Sequence, residues 1–124
     1  MNNLLIVFIG GGIGSMSRYI LARWVQFLSA SIFPFGTLSV NMVGSFALGM
    51  IAGFAGGKLV TNLAWRNFLA VGFCGGFSTF SSFSFETFEL IRNGHPYMAV
   101  VNVAVSVVLS VGGYAAGFLL SGKV

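Results

Sequence analysis

Charge is what this sequence has least of. Only 6% of its 124 residues are charged, against about 25% in a soluble domain. Hydrophobic residues make up 56% of it, and a surface of that composition cannot be covered in water; it must face lipid or another chain. The one cysteine, Cys74, excludes an internal disulfide and leaves the redox compartment open. The one histidine, His95, stands beside Pro96 with no metal or base partner in view, so it reads as a solvated turn residue and no enzyme is expected. The six basic residues, Arg18, Arg23, Lys58, Arg66, Arg92 and Lys123, are scattered. They form neither the basic stripe nor the recognised motif of a nucleic-acid binder, and basic residues at helix ends suit lipid headgroups better. The N-terminus has no basic leading region and its apolar run is too long for a cleaved signal peptide, so none is expected.

What is present is a set of long apolar runs. The first covers about Leu4 to Val25. The second covers Leu38 to Ala55, bounded by Pro34 and Gly36 before it and by Gly56, Gly57 and Lys58 after it. The third runs from near Asn67 to Ile91, and the fourth from Tyr97 to Leu120, entered by the turn signal Asn93-Gly94-His95-Pro96. Each is close to the roughly 20 apolar residues that a bilayer-spanning helix needs. A barrel's alternating pattern is absent, and lipid tolerates no unpaired backbone. The expectation is one all-α domain over residues 1–124, an integral membrane protein of four helices, sequential neighbours being antiparallel because the loops are short.

Glycine occurs 18 times. Gly10-xxx-Gly14, Gly49-xxx-Gly53-xxx-Gly57 and Gly113-xxx-Gly117 are small-residue faces that let helix backbones approach where lipid supplies no hydrophobic drive. The cluster Gly10-Gly11-Gly12-Ile13-Gly14 follows no strand and lies inside a span, so it is not a nucleotide-binding loop.

Alternating the helix ends between the two sides of a bilayer gives Lys58, Arg66 and Lys123 on one side and Arg18, Arg23 and Arg92 on the other. Orientation follows the excess of Lys and Arg on the cytoplasmic side, and three against three gives little instruction. Either Arg18 sits too deep to count, which leaves a weak bias, or copies insert both ways.

Polar residues inside the spans need partners. Asn41 is in the first turns of helix two. Asn102, Ser106 and Ser110 are spaced by four on one face of helix four; alone, that row reads as inter-helix glue before it reads as the lining of a pathway. Helix three is more informative. Its centre runs Gly75-Gly76-Phe77-Ser78-Thr79-Phe80-Ser81-Ser82-Phe83-Ser84, adjacent glycines followed by hydroxyl residues, which are poor material for a continuous helix. A break there, made cheap by Gly75-Gly76, would expose carbonyls at mid-membrane, tolerable only where they line a cavity or bind an ion. Phe77, Phe80 and Phe83 recur every three residues, so they are expected to share a face, and ring edges carry the partial positive charge that can meet an anion.

These residues resemble the signature of the Fluc (CrcB) fluoride channels. The resemblance rests on the helix-three run, on Gly36-Thr37-Leu38 leading to Asn41, on the early Gly-rich segment ending in Arg18, and on Glu86 after the Phe pair; it extends over essentially the whole chain. It implies an antiparallel, dual-topology homodimer with two narrow pores in the bacterial cytoplasmic (inner) membrane, exporting fluoride passively and so lowering its intracellular concentration and toxicity. It implies a fluoride pore lined by Asn41, Phe80, Ser81, Ser82, Phe83 and Ser110, with Ser106 one turn earlier on the same face, where the family varies. The family usually has Thr at the position of Ser82. Arg18 matches the basic residue of the aqueous vestibule. One structural Na+ at the centre of the dimer would be held by the backbone carbonyls of Gly75 and Ser78. The partners are then fluoride, lipid and a second copy, with no nucleic acid. A small dual-topology multidrug or cation transporter is the alternative. Such a protein wants a carboxylate in mid-span, whereas Glu86 and Glu89 fall toward the end of helix three. A non-transporting membrane subunit would make the hydroxyl and Phe pattern pure packing.

Overall fold

The computed structural model describes residues 2–56 and 62–122, all helix and short connections. The first helix, α1, is Asn3–Ser29. Asn2 caps it by accepting the Leu4 N–H at 2.8 Å, which satisfies one of the donors a helix start leaves unpaired. It ends at Ala30 in the left-handed conformation, φ 48°. Gln26 then organises the turn into α2, Phe35–Gly56. Its Nε2 donates to Ser31 O and Phe33 O at 2.7 and 3.0 Å, and its Oε1 accepts the Gly36 N–H at 2.9 Å.

The third span is built in pieces. Asn62 caps α3, Leu63–Arg66, by accepting the Ala64 N–H at 2.8 Å. A π-helical segment, Asn67–Cys74, follows, and then one turn, α4, Gly75–Phe77. Ser78 is extended, at φ −86° and ψ 158°. The helix resumes as α5, Ser81–Arg92. Gly94, at φ +86°, turns the chain into α6, Pro96–Gly122, with proline in the first helical position, where its missing N–H costs nothing.

Four spans are long and apolar enough to cross a bilayer: Asn3–Ser29, Phe35–Phe54, Leu63–Arg92 and Pro96–Gly122. The chain is therefore a multi-pass membrane protein. The expected boundaries move by four residues in two places, and the second span also begins earlier, at Phe35 and not Leu38. The first span continues past Val25 to Ser29, and the third begins at Leu63, not Asn67. Aromatic and basic residues mark the two faces: Arg23, Trp24, Arg92 and Tyr97 lie toward one, Trp65 and Arg66 toward the other, as interfacial anchors should. Arg18 lies well inside α1, eleven residues from its end at Ser29, about 16 Å along the axis. With Arg18 set aside for that depth, the basic residues still divide nearly evenly between the two sides, which gives little instruction for one orientation. Lys58 and Lys123, and Gly57 of the second glycine face, lie outside the described residues.

Two glycine-mediated contacts hold the bundle. The most extensive packing is α2 on α6, followed by α1 on the π-helical segment. A Cβ on Gly49 would collide with the Tyr114 carbonyl, and one on Gly117 with the Phe46 carbonyl. On α1, a Cβ on Gly10 would stand 2.6 Å from Phe68 O, and one on Gly14 would overlap Phe73 O. These faces do what the sequence suggests. Three glycines do not. Gly36, read as a boundary, is inside the first turn of α2 and lets it cross Ala22 of α1. Gly75 and Gly76 are helical, and the break falls after them, at Ser78–Phe80. Gly76 instead provides close approach to Gly11 of α1.

Gly49→Ala is expected to lower the melting temperature of the detergent-solubilised protein, by a destabilisation of about 1–3 kcal/mol from overpacking against backbone. Gly112, whose Cβ would meet nothing within 4 Å, is the control: Gly112→Ala should leave the melt unchanged or raise it slightly. Equal melting of the two variants would show that the α2–α6 backbone contact is not what the bundle rests on.

Candidate functional site

A groove of about 320 Å³ opens where the break faces α2 and α6. Asn41 and Ser45 come from α2, Ser78, Thr79, Phe80 and Phe83 from the break and α5, and Ser106 and Ser110, with Val107 and Val111, from α6. Five of the seven pore residues expected from the sequence, Asn41, Phe80, Phe83, Ser106 and Ser110, therefore meet in one place. The walls offer amide, hydroxyl and ring-edge groups, and no ionised side chain.

The break is shaped by specific hydrogen bonds. Asn41 clamps Thr79 from both ends of its amide: Nδ2 donates to Thr79 O at 2.9 Å, and the Thr79 N–H donates to Oδ1 at 2.6 Å. Nδ2 still has a second N–H for the groove. Ser78 turns back on the preceding helix, its N–H and its hydroxyl both donating to Cys74 O at 3.1 and 3.0 Å. Thr79 Oγ1 accepts the Ser82 N–H at 3.1 Å and so caps α5. The carbonyls of Gly75 and Ser78 accept no hydrogen bond from any described residue. Unpaired carbonyls at mid-membrane are hard oxygen donors suited to a sodium ion, so the expected metal positions fit that chemistry. Among the described residues there is no cluster of His, Cys, Asp and Glu that could hold a metal by side chains.

The phenylalanines divide. Phe80 and Phe83 approach edge-tilted, ring centroids 5.4 Å apart at 49°. Phe80 is 77% exposed, hanging on a face that its own chain leaves open. Phe77 does not share their face; it is buried and stacks on Phe73, centroids 5.7 Å apart. The break falls between Phe77 and Phe80, so the three-residue period does not carry across it.

Ser81 and Ser82 stand in the first turn of α5 but outside the groove wall, with Ser81 Oγ 3.2 Å from Thr79 Oγ1. The helix-four row divides between inter-helix contact and the groove wall. Asn102, 1% exposed, donates to Thr87 Oγ1 at 2.9 Å, and Ser106 donates to Asn102 Oδ1 at 3.2 Å. Ser106 and Ser110 then continue the row into the groove. Arg18 is not on the groove. Its Nε donates to Gly76 O at 3.0 Å, and it lines a separate concavity with Ser15 and Tyr19. Glu86 lines another, at the loop end of α5, with Gln26, Glu89 and His95; its Oε1 is buried without a partner among the described residues.

Sequence reasoning missed Ser45 and Thr79 as wall residues. Ser45 was within reach, four positions after Asn41 on the same helix face. Thr79 was legible as a cap, three residues before Ser82, once the break is placed after Phe77.

Asn41→Ala removes both halves of the clamp on Thr79. Hydrogen exchange at the Thr79 amide should speed up by about tenfold or more, the factor that loss of a part-buried hydrogen bond implies. Unchanged protection would mean that the break is held by something other than Asn41.

Comparison with known proteins covers almost the entire chain. Residues 5–118 match the family model described as CrcB-like protein, Camphor Resistance (CrcB). A fluoride-specific ion channel FluC of Coxiella burnetii is 43% identical over 119 residues, 95% of this chain and 96% of the relative. The protein of that name from Leptospira interrogans is 39% identical over 115 residues, 93% and 91% of the two chains. One from Pyrococcus abyssi is 40% identical over 121 residues, 98% and 97%. The chain belongs to the CrcB family.

Proposed function

We propose that the chain is a fluoride channel, conducting the ion passively across the cell membrane, the cytoplasmic (inner) membrane of a bacterium, and so lowering fluoride inside the cell. The observation that carries this reading is the uncharged groove at the helix-three break, where Asn41, Ser106, Ser110, Phe80 and Phe83 converge. Relatives named fluoride-specific ion channel FluC, about 40% identical over nearly their whole length, support it. Fluoride is small and strongly hydrated, so a selective route replaces its water with closely spaced donors. None of these is a full positive charge, which would trap the ion; conduction needs release as well as binding. Ser81 and Ser82, beside the groove on α5, extend the hydroxyl track. A cation transporter is disfavoured because both acids line a concavity with Gln26 and His95, away from the groove. No catalytic step is part of this function; the protein is not an enzyme.

The finer architecture follows from what one copy leaves open. A second copy, inserted in the opposite orientation, would cover Phe80 and the apolar face around it. The nearly balanced basic residues suit such dual topology. At the crossing of two breaks, the Gly75 and Ser78 carbonyls of both copies would hold a structural sodium ion, which supplies positive charge at low dielectric near the anion path. Replacement of sodium by a heavier monovalent cation, located by anomalous scattering, tests that site; an ordered water there would remove it.

Liposomes containing the purified protein and loaded with fluoride should empty quickly while chloride is retained. Equal chloride leakage would end the claim of selectivity. Three lysines added at the C-terminus should force one orientation and abolish transport by that chain alone, and co-expression with an oppositely biased copy should restore it. Full activity from the single forced orientation would exclude the antiparallel arrangement.

A further inference from the structure

Breaking a helix strands the carbonyls of its last turn. At the end of α4 these are Cys74, Gly75, Gly76 and Phe77, and they are not treated alike. Cys74 O accepts twice from Ser78. Gly76 O, which in a continuous helix would take the Phe80 N–H, takes Arg18 Nε instead, at 3.0 Å. Gly75 O and Phe77 O take no hydrogen bond from any described residue.

Arg18 can reach this carbonyl because two backbones meet one turn earlier. A Cβ on Gly76 would stand 3.1 Å from Gly11 Cα and 3.1 Å from Ser15 Oγ, and a Cβ on Gly14 would overlap the Phe73 carbonyl. The α1 backbone thus runs along the end of the broken helix, and the Arg18 side chain closes it. Among the described residues no carboxylate shares the guanidinium. Glu86 and Glu89 line a different concavity, and Glu89 is paired with Arg92 at 2.9 Å.

We propose that Arg18 is a positioning residue: its Nε–H replaces the helix donor lost at Gly76, fixing the end of α4 and with it the Ser78–Phe80 segment that shapes the groove. This rests on the fluoride reading for its consequence in transport, but not for the positioning itself. It differs from the expectation that Arg18 acts as a charge at a vestibule, concentrating anions. A charge would act through any cation in that place and would lose its effect in high salt. A positioned donor depends on which atom of the side chain carries the N–H.

Two substitutions separate these roles. In Arg18→Gln the amide Nε2 falls at the same bond count from the backbone as Arg Nε, so the donor is kept and the charge is lost. In Arg18→Lys the charge is kept, but a methylene occupies the donor position. Hydrogen exchange at the Ser78, Thr79 and Phe80 amides is measured in the purified, assembled protein, alongside fluoride efflux at low and high ionic strength.

The expected result is near wild-type exchange for Arg18→Gln, and exchange faster by about tenfold or more for Arg18→Lys. Flux should fall in Arg18→Lys at both ionic strengths and be retained in Arg18→Gln at high salt. If Arg18→Lys cannot be purified as an assembled protein where Arg18→Gln can, that ranking also supports the proposal. Wild-type exchange in both variants, equal loss in both, or full function of Arg18→Lys with failure of Arg18→Gln would overturn it. Should the wild-type protein carry no fluoride, the fluoride reading fails while the exchange comparison still decides the role of Arg18.

Discussion

In hydrocarbon an unpaired carbonyl or N–H finds no water, so a helix interrupted at mid-membrane must have its loose ends met by the protein or by an ion. The third span is interrupted at Ser78–Phe80, and much of the molecule is arranged around that fact. From α2, Asn41 supplies one donor and one acceptor to Thr79. From α1, Arg18 supplies a donor to Gly76 O. Gly10, Gly11 and Gly14 of α1 stand where its backbone touches the broken span, at Phe68, Gly76 and Phe73. The carbonyls of Gly75, Phe77 and Ser78 accept no hydrogen bond from any described residue, and the sodium ion and second copy proposed above would meet those of Gly75 and Ser78.

The same interruption produces a polar groove without bringing in a charge. A continuous helix would have carried the three-residue Phe period straight through. The break instead leaves Phe77 buried on Phe73 and places Phe80 and Phe83 on the groove wall with the α6 serines Ser106 and Ser110. Ser106 joins two systems, bonding Asn102 on one side and lining the groove on the other. The buried Asn102–Thr87 hydrogen bond fixes α5 against α6, so groove width depends on a polar contact in the interior as well as on the glycine packing of α2 and α6.

Most of this architecture was legible in residue order. The spans follow from apolar length, and the glycine faces from four-residue spacing, because both depend only on local sequence. The location of the break did not. Gly75-Gly76 weakens a helix by propensity, yet both residues are helical, since tertiary contact with Gly11 uses the missing side chain of Gly76. The actual interruption is decided by Asn41, on another helix, competing for the Thr79 backbone. Arg18 was placed at a vestibule by resemblance, and its hydrogen bond to Gly76 O is a contact between residues 58 positions apart, for which sequence spacing gives no signal.

The central claim is that fluoride passes along the groove at the break, past the ring edges of Phe80 and Phe83. The most direct measurement is fluoride efflux from liposomes bearing Phe80→Ile or Phe83→Ile, with assembly checked by size-exclusion chromatography. Isoleucine keeps the bulk and apolarity of the side chain but has no ring edge. Severe slowing of fluoride with the assembly intact is the expected result. Normal fluoride flux through both variants would show that these rings only pack, and that the ion takes another path.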